Sequence, residues 1–164
     1  MLGHTEPHVS LGAMPSADLH HLLPGAWTIQ ASNFPMWLNG SRLNPRFTYT
    51  VLTPEPLTLT DDVSYTTPEG EEKHILGVDK EHADGFTWRG KGLLKLVASH
   101  WSVAGANPDG TVLAIRFEKT RLTPAGIDII VREGVTIPEL RTLVVRNSEH
   151  FGLKAEDIAR LTWL

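Results

Sequence analysis

The sequence predicts an all-β fold of about eight strands, an antiparallel barrel or sandwich, followed by one C-terminal α-helix and a short final strand. Segments rich in Val, Thr, Tyr and Leu recur at intervals of roughly 8–15 residues between turns rich in Pro, Gly and Asn, which is typical of such folds. After Thr136 the apolar period changes from two residues to about 3.6, which indicates a helix. A last β-like segment, 160–164, follows that helix.

The barrel is expected to begin after a short helical segment, 16–23, with Ser16 as its N-cap. Pro24 and Gly25 separate this segment from the first strand, 25–32, in which apolar and polar residues alternate. The same alternation between turn signals predicts the other strands. They are expected at 46–52, 57–66, 72–79, 86–89, 93–103, 111–119 and 127–132.

The segment 33–45 joins the first two strands and contains too many Pro, Gly and Asn residues for a long regular element. It nevertheless carries several large apolar side chains. They are Phe34, Met36, Trp37, Leu38 and Leu43. An apolar loop of this kind covers an apolar surface, and two positions remain open, over the mouth of the barrel or against its side.

The chain has 164 residues, a net charge of -4 and no cysteine. This length predicts a single domain, 16–164, preceded by a mobile N-terminal arm, 1–15. Sparse Lys and Arg predict no nucleic-acid surface, and the absence of an apolar run of about 20 residues predicts no membrane span. Without a secretion signal we expect a cytoplasmic protein, either a monomer or a homodimer, and without cysteine no disulfides.

Two motifs and the order of elements resemble the lipocalin family of calycin barrels. Gly25-Ala26-Trp27 on the first strand is similar to the family's Gly-x-Trp. In the family this Trp lies against an Arg at the end of the last barrel strand, a position that Arg132 matches in this sequence. The tail of helix and final strand resembles bacterial lipocalins, whereas Asn107-Pro108-Asp109-Gly110 stands where the family has Thr-Asp-Tyr. The resemblance implies an eight-stranded antiparallel up-and-down barrel with the C-terminal helix packed outside it. It also implies a cup that binds a small hydrophobic molecule, with 33–45 as its lid and no cofactor.

Alternation along the strands and the apolar loop together predict the ligand-binding residues. They are Phe34, Trp37, Phe47, Tyr49, Trp88, Leu96 and His100. Over 94–103 one of two alternating sets faces inward, one with Leu96 and His100, the other with Lys95 and Trp101. We favour the first set, because a Lys inside the barrel is costly to desolvate, and we expect Trp101 to lie under the C-terminal helix.

Two further functions are compatible with the same barrel. One is an intracellular enzyme that uses acid–base chemistry to isomerise or cyclise an apolar molecule, with His100 and Tyr49 as candidate catalytic residues. The other is a haem-binding barrel of the nitrobindin type, with His100 or His74 as the iron ligand. Asp61 and Asp62 are neighbours on one strand and point to opposite faces, so they do not form an acid–base pair. The remaining histidines lack ligand spacing, and no metal site is predicted.

Overall fold

The computed structural model describes residues 16–92, 98–121 and 123–164. The predicted arm, 1–15, and the predicted ligand-binding residue Leu96 lie outside the described residues. The helices of the described chain are α1 (Ser16–Leu22), α2 (Pro35–Leu38), α3 (Leu140–Arg146) and α4 (Ala155–Ala159). The strands are β1 (Gly25–Ser32), β2 (Leu43–Pro54), β3 (Leu57–Thr66), β4 (Glu72–His82), β5 (Gly85–Gly90), β6 (Ala98–Ala106), β7 (Val112–Phe117), β8 (Gly126–Arg132) and β9 (Thr162–Trp163).

The sheet closes on itself, which confirms the predicted eight-stranded antiparallel barrel. Strands β2 to β8 are antiparallel neighbours in chain order, and β1 pairs with both β8 and β2. The short β9 pairs with the end of β1, at Ala31 and Ser32. The end of the barrel that holds α2 and the β3–β4 and β7–β8 loops is called the mouth, and the end beside α1 is called the floor.

Two apolar clusters lie on the two sides of the sheet. The inner cluster fills the barrel with inward side chains such as Phe47, Leu113 and Ile115. The outer cluster packs Val144 of α3 and Phe151 against outward side chains of β7 and β8. The predicted C-terminal helix therefore lies outside the barrel, as expected, and α4 is an additional short helix. Pairing of β1 with β8 shifts register between residues 29 and 31, and this shift moves β1 side chains from the inner to the outer cluster.

The prediction that the set with Leu96 and His100 faces inward is wrong for the described residues of β6. Trp101 is buried inside the barrel, whereas His100 is exposed on the outer face. The Trp101 ring stacks on the rings of Phe86 and Tyr49, with centroid distances of 4.5 and 5.7 Å. Its Nε1–H donates a hydrogen bond of 2.9 Å to Oδ1 of Asp79. The prediction was based on the cost of burying Lys95, which lies outside the described residues. The cross-strand contacts of Trp101 instead determine which face of β6 points inward.

Candidate functional site

The floor of the barrel is closed by a contact between the first and last barrel strands. The guanidinium carbon of Arg132 lies 4.0 Å from the ring centroid of Trp27, which is fully buried. The indole Nε1–H of Trp27 donates a hydrogen bond of 2.9 Å to the carbonyl oxygen of Leu23. The contact anticipated from the Gly-x-Trp motif is therefore present, and it binds the strand ends together through a cation–π interaction.

Gly25 is required at this contact for two reasons. Arg132 donates hydrogen bonds of 2.6 Å to the carbonyl oxygens of Leu22 and Pro24, so its guanidinium passes directly over residue 25. A Cβ atom at Gly25 would lie 2.5 Å from Nη1 of Arg132, and the φ of Gly25 is +118°. Only glycine combines that backbone conformation with the absence of a side chain.

The mouth half of the barrel encloses a cavity of about 240 Å³. Its walls are largely aromatic. The aromatic lining residues are Phe34, Trp37, Phe47, Tyr49, Trp88, Trp101 and Phe117. Met36, Val63, Ile75 and Ala98 add aliphatic surface, and Ser99, Thr120, Thr123, Asp61 and Asp128 add polar groups.

The mouth segment that carries α2 is held against β7 and β8. The Phe34 ring meets the Phe117 ring edge to face at 5.3 Å and lies directly on Gly126, where a Cβ atom would collide with it. The side-chain oxygen of Asn33 accepts a hydrogen bond of 2.8 Å from the Ile127 backbone N–H. These contacts place apolar residues of the segment at the opening of the cavity.

The predicted ligand-binding residues divide into three groups. Those that line the cavity are Phe34, Trp37, Phe47, Tyr49 and Trp88. Leu96 lies outside the described residues. His100 is on the outer face of β6, where its Nδ1 forms a hydrogen bond of 2.9 Å with the hydroxyl of Thr87. His74 is also exposed, paired with Asp62 at 2.8 Å. Neither imidazole lines the cavity, so the prediction that His100 lies on the inner face is wrong.

Sequence reasoning missed the most unusual feature of the interior, which is a set of three buried aspartates. Asp61, Asp79 and Asp128, called the interior carboxyls below, are only 5%, 0% and 1% exposed. Asp61 faces inward and Asp62 outward, as predicted, but the partner of Asp61 is Asp79 on the neighbouring strand. Asp128 carried a signal in the sequence, because it is the one charged residue in the apolar run 127–131.

Asp61 and Asp79 interact with each other inside the barrel. Burial raises the pKa of Asp61 well above its usual range, and the charge and hydrogen-bonded carboxyl of Asp79 raise it further. Burial also raises the pKa of Asp79, to about 6, although hydrogen bonds from Asp61 and Trp101 oppose this rise. Both carboxyls are therefore harder to ionise than a carboxyl in water, and their titrations are linked.

Asp128 lies on β8 beside Ser32 of β1. Burial raises the pKa of Asp128 to about 7, against the opposing effect of a hydrogen bond with Ser32. The Ser32 hydroxyl oxygen also accepts a hydrogen bond of 3.0 Å from the backbone N–H of Phe34, which links this carboxyl to the mouth segment. Burial and then the charges of the interior carboxyls raise the pKa of Tyr49 well above its usual range. The charges of all three interior carboxyls therefore affect the pKa of one residue, Tyr49.

Several polar atoms of this interior have no hydrogen-bond partner among the described residues. They are Oδ1 of Asp61, Oδ2 of Asp79, Oδ1 of Asp128 and Nε1 of Trp88. Three of the four residues, all except Asp79, line the cavity. Buried polar groups are almost always satisfied in folded proteins. The lining residues among them therefore carry polar groups whose hydrogen-bonding capacity the described chain leaves unused.

No group of three or more His, Asp or Glu side chains in residues 16–92, 98–121 and 123–164 is arranged to hold a metal ion. No helix in the same ranges has both the length and the apolar character needed to cross a membrane.

Together, the closed up-and-down barrel, the outer C-terminal helix and the aromatic cavity define a calycin-type barrel with an internal pocket. The chain has the lipocalin fold. It is similar to lobster apocrustacyanin A1, with 9% identity over 93% of this chain and 86% of that chain and a TM-score of 0.61. It is also similar to the siderocalin Ex-FABP, with 16% identity over 87% and 93% of the two chains and a TM-score of 0.53.

A third similar structure is the bovine lipocalin allergen Bos d 2, with 13% identity over 87% of this chain and 92% of that chain and a TM-score of 0.54. No protein-family profile and no curated protein sequence matches the chain. At these identities the similarity establishes the fold, and function has to be argued from the cavity itself.

Proposed function

We propose that the barrel binds a small, mostly apolar molecule in its mouth cavity. The observation that carries this proposal is the cavity of about 240 Å³ with seven aromatic side chains in its walls. Small-molecule sites are concave, mostly apolar and equipped with a few polar groups that orient the ligand. The siderocalin Ex-FABP, which shares the fold, is described as functioning through dual ligand specificities, and this supports a ligand-binding use of the barrel.

The volume limits the size of the ligand. Pockets for drug-sized molecules enclose roughly 300–1,000 Å³, and this cavity is smaller. A ligand with one or two rings, or a short branched chain, fits that volume. The segment 33–45 acts as the lid in this proposal, because Phe34, Met36 and Trp37 line the cavity from the mouth.

The proposal is tested with indole, a neutral apolar molecule of suitable size, by isothermal titration calorimetry. Ile75 lines the cavity, whereas its neighbour Leu76 is 48% exposed on the outer face. Ile75→Trp is expected to fill the cavity and weaken indole binding by about tenfold or more, because the ligand and the new ring compete for one volume. Leu76→Trp adds the same ring outside and is expected to bind indole as the wild type does. Equal affinities for both variants would contradict the proposal.

The interaction of two buried carboxyls, Asp61 and Asp79, favours an acid–base enzyme as the second candidate. When one carboxyl of a pair is ionised and the other is protonated, the pair supplies a base and an acid in one site. The described interior provides these groups on β3 and β4, not through His100.

This second candidate is tested by hydrogen–deuterium exchange at the carbon next to the carbonyl of phenylacetone, followed by proton NMR in D₂O. Asp61, the member of the pair that lines the cavity, removes a proton from that carbon as a carboxylate while Asp79 holds the pair's remaining proton, and the enolate carbon then takes up a deuteron from D₂O. Asp79→Asn is expected to abolish protein-dependent exchange, whereas His100→Ala leaves it unchanged. Exchange at the same rate with and without the protein would reject the enzyme.

A further inference from the structure

We propose that the ligand of this barrel carries a cationic amine, which the interior carboxyls hold while its apolar body lies between the aromatic walls. This inference rests on the proposed function, because it names the chemical class of the molecule that enters the same cavity. It begins from the unpartnered oxygen atoms of the lining aspartates.

Two buried carboxyls are part of the cavity wall. Asp61 and Asp128 are 5% and 1% exposed and both line the cavity. Within the described chain, Oδ1 of each has no hydrogen-bond partner. A carboxylate oxygen accepts hydrogen bonds and donates none. The ligand group that satisfies these oxygens is therefore a donor, and an ammonium offers up to three N–H donors with a positive charge.

Charge balance leads to the same class of ligand. Each buried carboxylate is expensive to desolvate unless a positive charge accompanies it. The titratable side chains that line the cavity in the described ranges are Tyr49, Asp61 and Asp128, with Asp79 hydrogen-bonded to Asp61. All of these groups are neutral or negative. A ligand cation supplies the missing charge, whereas a ligand carboxylate would add repulsion.

The aromatic walls also suit a cation. The Tyr49 and Trp101 rings are stacked at 5.7 Å with an interplanar angle of 20°, and Trp88 completes a second side of the same cavity. An ammonium within about 6 Å of the face of a Trp or Tyr ring is attracted by the ring quadrupole, most strongly when water is excluded. The same walls accept an apolar body, so one amphiphilic amine satisfies both parts of the cavity.

The test compares three molecules that differ only in their polar group. They are 2-phenylethylamine, 2-phenylethanol and 3-phenylpropionate, titrated calorimetrically into the full-length protein at pH 7.5. The amine is expected to bind at least about tenfold more tightly than the alcohol, and the carboxylate more weakly than either. The alcohol binding as tightly as the amine would overturn the inference and leave the proposed function standing. Failure of all three to bind would contradict both.

Asparagine variants test whether the interior carboxyls cause the tighter binding of the amine. Asp128→Asn and Asp61→Asn keep the shape of the wall and remove its charge, so each is expected to weaken amine binding by about tenfold and to change alcohol binding by less than about twofold. The matched control is Asp62→Asn on the outer face, which is expected to leave both affinities unchanged. An amine preference that survives in both interior variants would overturn the inference.

Proton release provides a readout independent of affinity. At pH 6.5 the free amine is already an ammonium, and its charge favours the ionised form of the interior carboxyls. Binding is therefore expected to release protons, seen as a calorimetric enthalpy that depends on the ionisation enthalpy of the buffer. The alcohol is expected to release none. Equal proton release with both ligands, or none with the amine, would contradict the ion pair.

Discussion

Arg132 lies over the indole of Trp27 at 4.0 Å and donates hydrogen bonds to the carbonyl oxygens of Leu22 and Pro24. One side chain from the last barrel strand thus holds the indole of the first strand and the turn that precedes it. The cavity occupies the opposite end of the barrel, so this contact supports the fold without entering the site.

Arg132→Lys is expected to lower the free energy of unfolding by about 1–3 kcal/mol. An ammonium cannot stack as a planar guanidinium does, nor can it reach both carbonyl oxygens in the same geometry. Urea denaturation measures the change. The control is Arg46→Lys, since Arg46 forms only exposed ion pairs with Glu72 and Glu133, which contribute less than about 1 kcal/mol. Equal losses in both variants would contradict a special role for Arg132.

The buried carboxyl of Asp128 is expected to make stability fall as the pH rises. Its folded-state pKa is raised from 3.8 to about 7, so the folded protein binds more protons than the unfolded protein between about pH 4 and 7. The contribution of Asp128 to the free energy of unfolding is therefore fully present below about pH 4 and is lost progressively up to about pH 7. A shift of this size corresponds to at most about 4 kcal/mol.

Asp128→Asn removes that titration. The variant and the wild type are expected to be similarly stable at pH 4, where Asp128 is protonated in both states, and to diverge as the pH rises, with the variant the more stable at pH 8. Urea denaturation at several pH values measures the difference. Parallel stability curves from pH 4 to 8 would show that this carboxyl is not buried as described.

Gly126→Ala is expected to displace the mouth segment. The Phe34 ring lies directly on Gly126, so an added methyl group pushes the ring away. We expect weaker indole binding and a loss of about 1–3 kcal/mol in unfolding free energy, because overpacking of a buried site has that cost. Phe34→Leu in the same chain is expected to restore part of the stability, which a double-mutant cycle measures. Additive effects of the two changes would contradict the contact.

Much of the fold was predictable because alternation and turn signals are local properties of a sequence. The apolar set Leu113, Ile115 and Phe117 on β7 faces inward, as alternation indicated. The inward face of β6 was not predictable in this way, because both alternating sets contain apolar residues. Contacts of Trp101 with Phe86, which is 15 residues away in the chain, decide that face.

The candidate site was only partly predictable for the same reason. Five of the seven aromatic lining residues followed from alternation and from the apolar loop, whereas Trp101 and Phe117 were not among the predicted ligand-binding residues. The interaction of Asp61 with Asp79 depends on the register between β3 and β4. Nothing in the local sequence around Asp79 distinguishes it from an exposed strand residue. His100 was selected for its chemistry, but its backbone position places it outside the barrel.

The most direct test of ligand binding inside the barrel is an isotope-filtered NOE measurement on carbon-13-labelled protein with unlabelled indole. The account predicts intermolecular NOEs to the aromatic protons of Tyr49, Trp101 and Phe117, all of which line the cavity. NOEs confined to outer-face residues such as Leu52 and Leu76, which are 59% and 48% exposed, would show that the ligand binds elsewhere and would contradict the account.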